Sequence, residues 1–538
     1  LGFSRKSKEK RKKPNMKNIF SRKPFSLLSL SVSGLLSLSL LAGGLCSCSF
    51  LEEHPSSALT EEEAFGSMTA LRNNAVLSVY MYLGGNADSQ GLQGTGRGVY
   101  DLNSLTTNEQ IIPTRGGDWY DGGYWQDLHN HAWTDDDRSI RDTWDYLFKV
   151  VMLTNSGIAH IEAYDKPDAD ETLLAEYKAE LRAVRAMYYW YLLDLYGRVP
   201  IVTRTDIPTE DIQLASRKEV YAFAVKELQE SMPLLAQDYA NQPLGQYYGR
   251  MTSFVASFVL MKLYLNHVVY TGTEQTALYD SIVNYADRLS NYYVLEQNLR
   301  TNFSLDNDRS HENIYVIPRE VGKFVAKYKY EQRTLHYNHA AALGLGGENG
   351  TSATLETLDV FGYKTAQQDP RFDMYFYYDT VRVDGKVIYR EDGKTPLVYE
   401  AEKVAMDVSG TPHEKTAGAR LNKYEHDPNG IQDCNVAKND IVLFRYADVV
   451  LMKAEAKVRK GQSAYTEIKE IRDRVGASEI AAPTMEDIYE ERWRELMWEG
   501  WHRNDMIRFG KWTGHTTVFP IPQDMLLIHK DWQQNDNY

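Results

Sequence analysis

Three stretches of the chain hold residues whose types and spacing could do chemistry. The first is Glu491 to Lys511, ERWRELMWEGWHRNDMIRFGK, where Glu495, Glu499, His502 and Asp505 crowd beside Arg492, Arg494 and Arg503. Carboxylates next to an imidazole could do acid–base work. Ion-pair networks draw on the same residue types, and the spacing favours a network. Tyr489, Trp493, Leu496, Met497 and Gly500 fall at i, i+4, i+7, i+8 and i+11, one face of a helix. Glu499 stands four residues before Arg503, within helical pairing distance. Glu495, Glu499, Arg503 and Asp505 are therefore expected to be structural.

The second stretch is residues 101–134, DLNSLTTNEQIIPTRGGDWYDGGYWQDLHNHAWT. Its aromatics follow neither a period of 3.6 nor a period of 2, so a structured loop is predicted. Sugar rings present C–H faces that stack on Trp and Tyr, and their hydroxyls need polar groups at the ring edges. Trp119, Tyr120, Tyr124 and Trp125 supply the faces, and Asn108, Arg115 and Asp118 the edges. These seven are the candidate glycan-binding residues, with Trp119 and Trp125 foremost. Trp133 and Trp144 are assigned to the core. The alternative location is the middle of the chain, around Tyr328 to Tyr337.

The third stretch is His129 and His131 followed by Asp135, Asp136 and Asp137. An HxH pair can ligate zinc, but no third ligand or activating base is identifiable. The aspartates lack EF-hand spacing. Both groups are read as solvated loop residues, with no metal site. No nucleophile elbow or P-loop appears, and a hydrolytic carboxylate pair cannot be recognised without distances. A binding protein without cofactor or catalytic residues is expected.

The elements around these stretches are mostly helical. Thr60 and Glu63 have capping-box spacing before a helix running towards Tyr82. A glycine-rich loop, GGNADSQGLQGTGRG, follows a helix, so a surface loop is expected there, not a phosphate cradle. Helices are predicted over 142–160, 176–196, 218–239, 253–269, 278–290 and 468–475, with another from Ile441 to Gly461. Residues 296–440 are poorer in helical pattern, with a strand-like run at Asn313 to Ile317. The fold class is mainly α, with paired helical hairpins carrying an irregular, loop-rich lobe and a few short strands.

Charge narrows the partners. The net charge is −14, yet residues 1–47 hold ten Lys/Arg and one acidic residue, leaving 50 basic and 73 acidic beyond them, a net of −23. So acidic a chain, without a basic, aromatic-laced stretch, argues against nucleic acid. Residues 1–15 are an upstream basic segment. Met16 then starts a positive region with Lys17, Arg22 and Lys23, followed by an apolar run from Phe25 to Leu45. This pattern is a secretory signal peptide, 16–47. It ends in Leu45-Cys46-Ser47-Cys48, similar to a bacterial lipobox with Leu at −3 and Ser at −1 of Cys48. The similarity implies a lipid on Cys48 and attachment to a membrane. Cys434 is then the one cysteine left, so no disulfide framework is expected.

Several separate motifs resemble one family. ER-x-x-EL-x-x-EG-x-x-x-x-D-x-x-R-x-GK at 491–511 resembles the C-terminal signature of the SusD/RagB proteins, surface nutrient-binding lipoproteins of Bacteroidetes. So do the RA-x-x-Y…YG-x-x-P helix ending at Pro200, Asp369-Pro370-Arg371-Phe372, the run FRYADVVLMKAEA, and the ending PIP…QN-x-x-Y. The resemblance implies a tetratricopeptide-like scaffold, with an N-terminal helical region over 48–300 and a C-terminal region over 301–538. The latter divides into an irregular lobe, 301–440, and helical hairpins, 441–538. It also implies capture of an oligosaccharide at the outer-membrane surface and delivery to a SusC-like TonB-dependent transporter. Peptide capture, as in RagB-like members, and surface glycoside hydrolysis are the alternatives.

Overall fold

The computed structural model describes residues 60–538 apart from 86, 238–244, 321–325 and 431–436. Nine helices carry the scaffold: α1 (Arg138–Glu162), α2 (Glu171–Tyr196), α3 (Arg217–Ser231), α4 (Ser253–Leu265), α5 (Ala277–Leu289), α6 (Tyr446–Arg459), α7 (Tyr465–Asp473), α8 (Met485–Leu496) and α9 (His502–Arg508). Local chemistry sets their starts. Asp137 accepts from the Ser139 and Ile140 amides, and Asp170 from those of Thr172 and Leu173. Ser216 with Glu219, and Thr484 with Asp487, form capping boxes. Neighbours then pack in hairpin order, α1 on α2, α2 on α3, α4 on α5, and α6 on both α7 and α8.

Burial follows apolar content. Every residue of α4 is buried, and its sequence SFVASFVLMKLYL is apolar on all sides. From Ala179 to Tyr196 only Arg182 of α2 escapes full burial. Trp133 and Trp144 lie in the main core as expected, at 7% and 3% exposure. The strand Asn313–Ile317 forms where predicted.

Several expectations are corrected. The helix from Thr60 keeps its capping box but breaks after Phe65, and Ser67 caps a new start before a π-helical stretch over Arg72–Leu77. Helix does not return at Ile441. Ile441–Arg445 is a strand paired antiparallel with Asn313–Ile317, Ile441 opposite Ile317. Its run IVLFR is branched, aromatic and buried throughout, which suits a strand covered on both faces. Only the first part of the glycine-rich loop lies at the surface, with residues 87, 88 and 90 exposed. Residues 91–96 are buried, with the Gly94 backbone amide donating to the Tyr330 hydroxyl at 3.0 Å and the Gln93 side-chain amide Nε2 to the Glu499 carbonyl at 2.9 Å. Residues 101–134 contain short helices at Val99–Ser104 and Tyr124–His129.

The stripe through Gly500 is also interrupted. Helix α8 stops at Leu496, and Trp498 and Gly500 take φ of 67° and 77°. The turn swings Glu499 away from Arg503 and towards Arg445, at 2.7 Å, and Lys423, at 2.5 Å. Arg503 instead meets Asp194 on α2 at 2.9 Å. The charges of this stretch form a buried lattice. Glu495 accepts from Arg445 at 2.5 Å, from Arg371 at 2.9 Å and from Arg474. Glu491 binds Arg371 at 2.7 Å and Arg472 at 2.5 Å. Asp505 binds Arg492 at 2.9 Å and Arg508 at 2.6 Å. Burial alone would raise the Glu495 carboxyl, but the guanidiniums of Arg474, Arg445 and Arg371 outweigh it and hold it well below the carboxylate range. The lattice ties α6, α7 and α8 to the 312 and 369–371 segments, the structural role the sequence suggested.

Candidate functional site

The aromatic stretch is built around a tight turn. The Arg115 amide donates to the Asp118 carbonyl at 3.0 Å, and the Asp118 amide returns to the Arg115 carbonyl at 3.2 Å. Trp119 and Asp121 then take φ of 61° and 43°, and Gly122 and Gly123 continue at 72° and 94° into the helix Tyr124–His129. Non-glycine residues rarely adopt positive φ, so the surroundings must hold the turn. They do so through side chains. The Trp119 indole N–H donates to the Glu348 carbonyl at 2.7 Å, and the Trp125 indole N–H to the Asp121 carboxylate at 2.8 Å. Arg97 reaches the same carboxylate at 2.6 Å. Position 350 must be glycine, because a Cβ there would stand 2.7 Å from the Trp119 ring.

The turn divides the seven candidate residues. Trp125 is 3% exposed, edge-on to Trp119 with ring centroids 5.7 Å apart. A ring packed there braces the turn, so the placement of Trp125 beside Trp119 as a foremost stacking face is corrected. Arg115 is 2% exposed, and its guanidinium donates to Ser352 Oγ at 2.8 Å and to the Ala417 and Glu414 carbonyls at 2.9 and 3.0 Å. It fastens the loop to the 350–352 and 414–417 segments. Burial, and then the Arg420 charge, push its pKa well down. Asn108 Oδ1 accepts from His502 Nε2 at 2.8 Å. Tyr124 is half-buried under Arg97, whose guanidinium stands 5.1 Å from its ring, and burial raises its hydroxyl.

Two of the seven are exposed, and half-buried Trp119 lies between them in the chain. Tyr120 is 54% exposed, Asp118 is exposed, and Trp119 is half-buried. The structure adds residues that the pattern of 101–134 could not supply. The Tyr337 hydroxyl donates to the Asp118 carboxylate. Lys415 stands 5.7 Å from the Tyr337 ring. Tyr389, 45% exposed, lies on a segment whose carbonyl accepts from Asn338 at 2.8 Å. Burial, and then Asp118, raise the Tyr337 hydroxyl, so it stays a donor. Tyr337 falls in the alternative stretch named from sequence, but Tyr328, at its other end, is 3% exposed and belongs to the core. The two candidate regions are thus linked: Tyr337, with Lys415 beside its ring, is bonded through Asp118 to the turn that carries Trp119 and Tyr120.

The histidine–aspartate stretch does other work. His131 is not a solvated loop residue. Its Nε2 meets the Thr106 carbonyl at 2.7 Å, and its ring stacks on Trp512 with centroids 4.4 Å apart. Asp137 caps α1. Among the described residues no group of three or more His, Cys, Asp or Glu could hold a metal ion, and no helix is long and apolar enough to cross a membrane. Cys48 and Cys434 lie outside the described residues.

Scaffold and surface define a class first: a helical-hairpin protein that carries an exposed aromatic, Tyr120, on a loop-built turn. Comparison with known proteins then gives the family. A family described as "SusD family" matches residues 271–538, and one described as "Starch-binding associating with outer membrane" matches 50–265. The chain belongs to the SusD/RagB family. It is 24% identical over 504 residues to the starch-binding protein SusD of Bacteroides thetaiotaomicron, covering 84% of this chain and 87% of that one. Its fold is similar to that of surface glycan-binding protein A from Bacteroides uniformis, with a TM-score of 0.69 at 19% identity, covering 87% and 99% of the two chains. Surface glycan-binding protein A from Bacteroides thetaiotaomicron, in complex with laminarihexaose, gives a TM-score of 0.66 at 18% identity, covering 88% of this chain and 100% of that one.

Proposed function

We propose that this protein captures oligosaccharides at the cell surface on the platform formed by Trp119, Tyr120 and Tyr337, with Asp118 and Lys415 binding hydroxyls at the ring edges. The observation that carries the reading is the exposed Tyr120 beside Trp119 on a turn braced through Trp119, Asp121 and Trp125. A braced turn keeps its rings in place before ligand arrives, so little ordering entropy is lost on binding. Exposed large aromatics at such a spot mark an interaction surface. The relatives' names, a starch-binding protein and surface glycan-binding proteins, support the ligand class. Binding here involves no covalent chemistry.

The remaining parts of the reading belong to the same proposal. Cys48 carries a lipid that holds the protein at the outer membrane, in keeping with the family description. The captured glycan passes to a SusC-like TonB-dependent transporter. Residues 48–300 form the N-terminal region and 301–538 the C-terminal one, with an irregular lobe at 301–440. A glycan array identifies the cognate saccharide, and calorimetry with it tests the platform. Tyr120→Ala and Trp119→Ala are each expected to weaken binding by about 2 kcal/mol, the cost of losing a hot-spot contact. Trp125→Ala is expected to destabilise the turn first. Wild-type affinity in both Tyr120→Ala and Trp119→Ala would reject the platform. Binding to peptides in place of glycans, or release of reducing sugar, would reject the function.

A further inference from the structure

A cleft of about 450 Å³ lies where the turn Leu299–Phe303, the strand Phe376–Tyr377 and residues 422–426 meet. None of the platform residues lines it. Its volume falls in the range of small-molecule sites. Past Tyr424 and His426 an adjoining depression shrinks to about 10 Å³, room for roughly one water.

The charges in its walls are unequal. Lys423 is committed to Glu499 at 2.5 Å, and His426 faces Glu331 at 3.2 Å. Glu425, the one acidic residue in the lining, accepts from the Leu305 amide at 2.8 Å. Arg300 is different. It is half-buried, gives one N–H to the Met374 carbonyl at 2.8 Å, and has no carboxylate within ion-pair distance among the described residues. A guanidinium fork left open on a cleft wall, in so acidic a chain, is suited to a carboxylate from outside. Beside it are the groups a sugar ring needs. Tyr377 packs against Leu335, Ala340 and Leu345 and edge-on to His339, which fixes its ring. Neither the Tyr377 hydroxyl nor the Asn422 side-chain amide has a hydrogen-bond partner among the described residues. Asn298, Thr301 and Ser304 add further polar groups.

We propose that this cleft is a second saccharide site, taking the carboxylate-bearing ring of an acidic oligosaccharide. Arg300 receives the carboxylate, Tyr377 the apolar face of the ring, and Asn422 its hydroxyls. The saccharide class rests on the function proposed above, whereas the location and the acidic ring are independent of it.

Trigalacturonate and its fully methyl-esterified form are the probes, titrated into the full mature protein by calorimetry. The acid is expected to bind at least tenfold more tightly than the ester. Arg300→Ala should remove that preference, Arg300→Lys should restore part of it, and Tyr120→Ala should leave it intact. If Arg300→Ala lowers the thermal midpoint, Asn422→Asp, which sets a like charge against the ligand, should weaken the acid and spare the ester. Equal binding of acid and ester, or an acid preference that survives both Arg300→Ala and Asn422→Asp, overturns the proposal. So does loss of the preference in Tyr120→Ala, which would move the acid to the platform and leave the platform reading standing. Conversely, an acid preference sensitive to Arg300 but not to Tyr120, with neutral glycans indifferent to Tyr120 and Trp119, keeps the cleft and rejects the platform.

Discussion

Replacing Glu495 by Gln tests the view that the charged stretch at the end of the chain is architecture. The side chain is wholly buried, and its two oxygens accept from three guanidiniums, those of Arg445, Arg371 and Arg474. Glutamine keeps one acceptor and turns the other atom into a donor facing a cation. Two charge-assisted bonds are weakened and one is lost. Each is worth about 1.5–3 kcal/mol, and breaking a buried pair costs about 3–5 kcal/mol. A loss of about 4 kcal/mol is therefore expected, read from urea unfolding. The pH dependence carries a second signature. The Glu495 pKa is depressed in the folded state, so its stabilisation is present above the unfolded value of about 4.5 and is lost as pH falls below it. The variant should lose less stability than wild type on acidification below about pH 4.5. A Glu495→Gln protein with unchanged stability but no glycan binding would refute the structural assignment and make this stretch part of the site.

Two further outcomes are expected. Glu109 is 1% exposed; burial raises its pKa to about 8, with Glu499 and Asp505 adding to it and the Trp498 amide and Lys423 opposing it. A raised carboxylate binds its proton more tightly in the folded state, so wild-type stability should fall as pH rises from about 4.5 to about 8. Glu109→Gln should lack that fall, a difference approaching 5 kcal/mol at one pKa unit per ~1.4 kcal/mol; parallel pH–stability curves for the two proteins would refute it. Cys48→Ala should release the protein from membranes or block its processing, read by fractionation and mass spectrometry. If Cys48→Ala remains membrane-bound and normally processed while Cys46→Ala does not, the modified cysteine is Cys46.

What was legible in the sequence, and what was not, divides by range. Helices α1 to α5, the strand Asn313–Ile317 and the core placement of Trp133 and Trp144 follow from local pattern, because each depends mainly on the apolar content of its own stretch, with capping residues before α1 to α4. The structural role of Glu495 and Asp505 was legible too, since buried acids on a helix rich in arginine must be neutralised. The strand Ile441–Arg445 was not: a short apolar run does not distinguish strand from helix until its partner, over a hundred residues earlier, is in place. Nor was the stop at Leu496, where ion pairs to Arg445 and Lys423 draw Glu499 out of the helix.

The candidate site shows the same limit. By itself the sequence determined that rings and polar groups gather in residues 108–133 without a regular period. Only the tertiary structure decided which of them face out. Trp119 and Trp125 are equivalent as letters, but the 61° φ of Trp119 and the Asp121 carboxylate that holds Trp125 leave one half-buried and the other in the core. Tyr337 joins them through a hydrogen bond to Asp118 across 219 residues. A sequence fixes which side chains can stack or donate; exposure depends on what the rest of the chain lays over them, and that is decided by packing between distant segments.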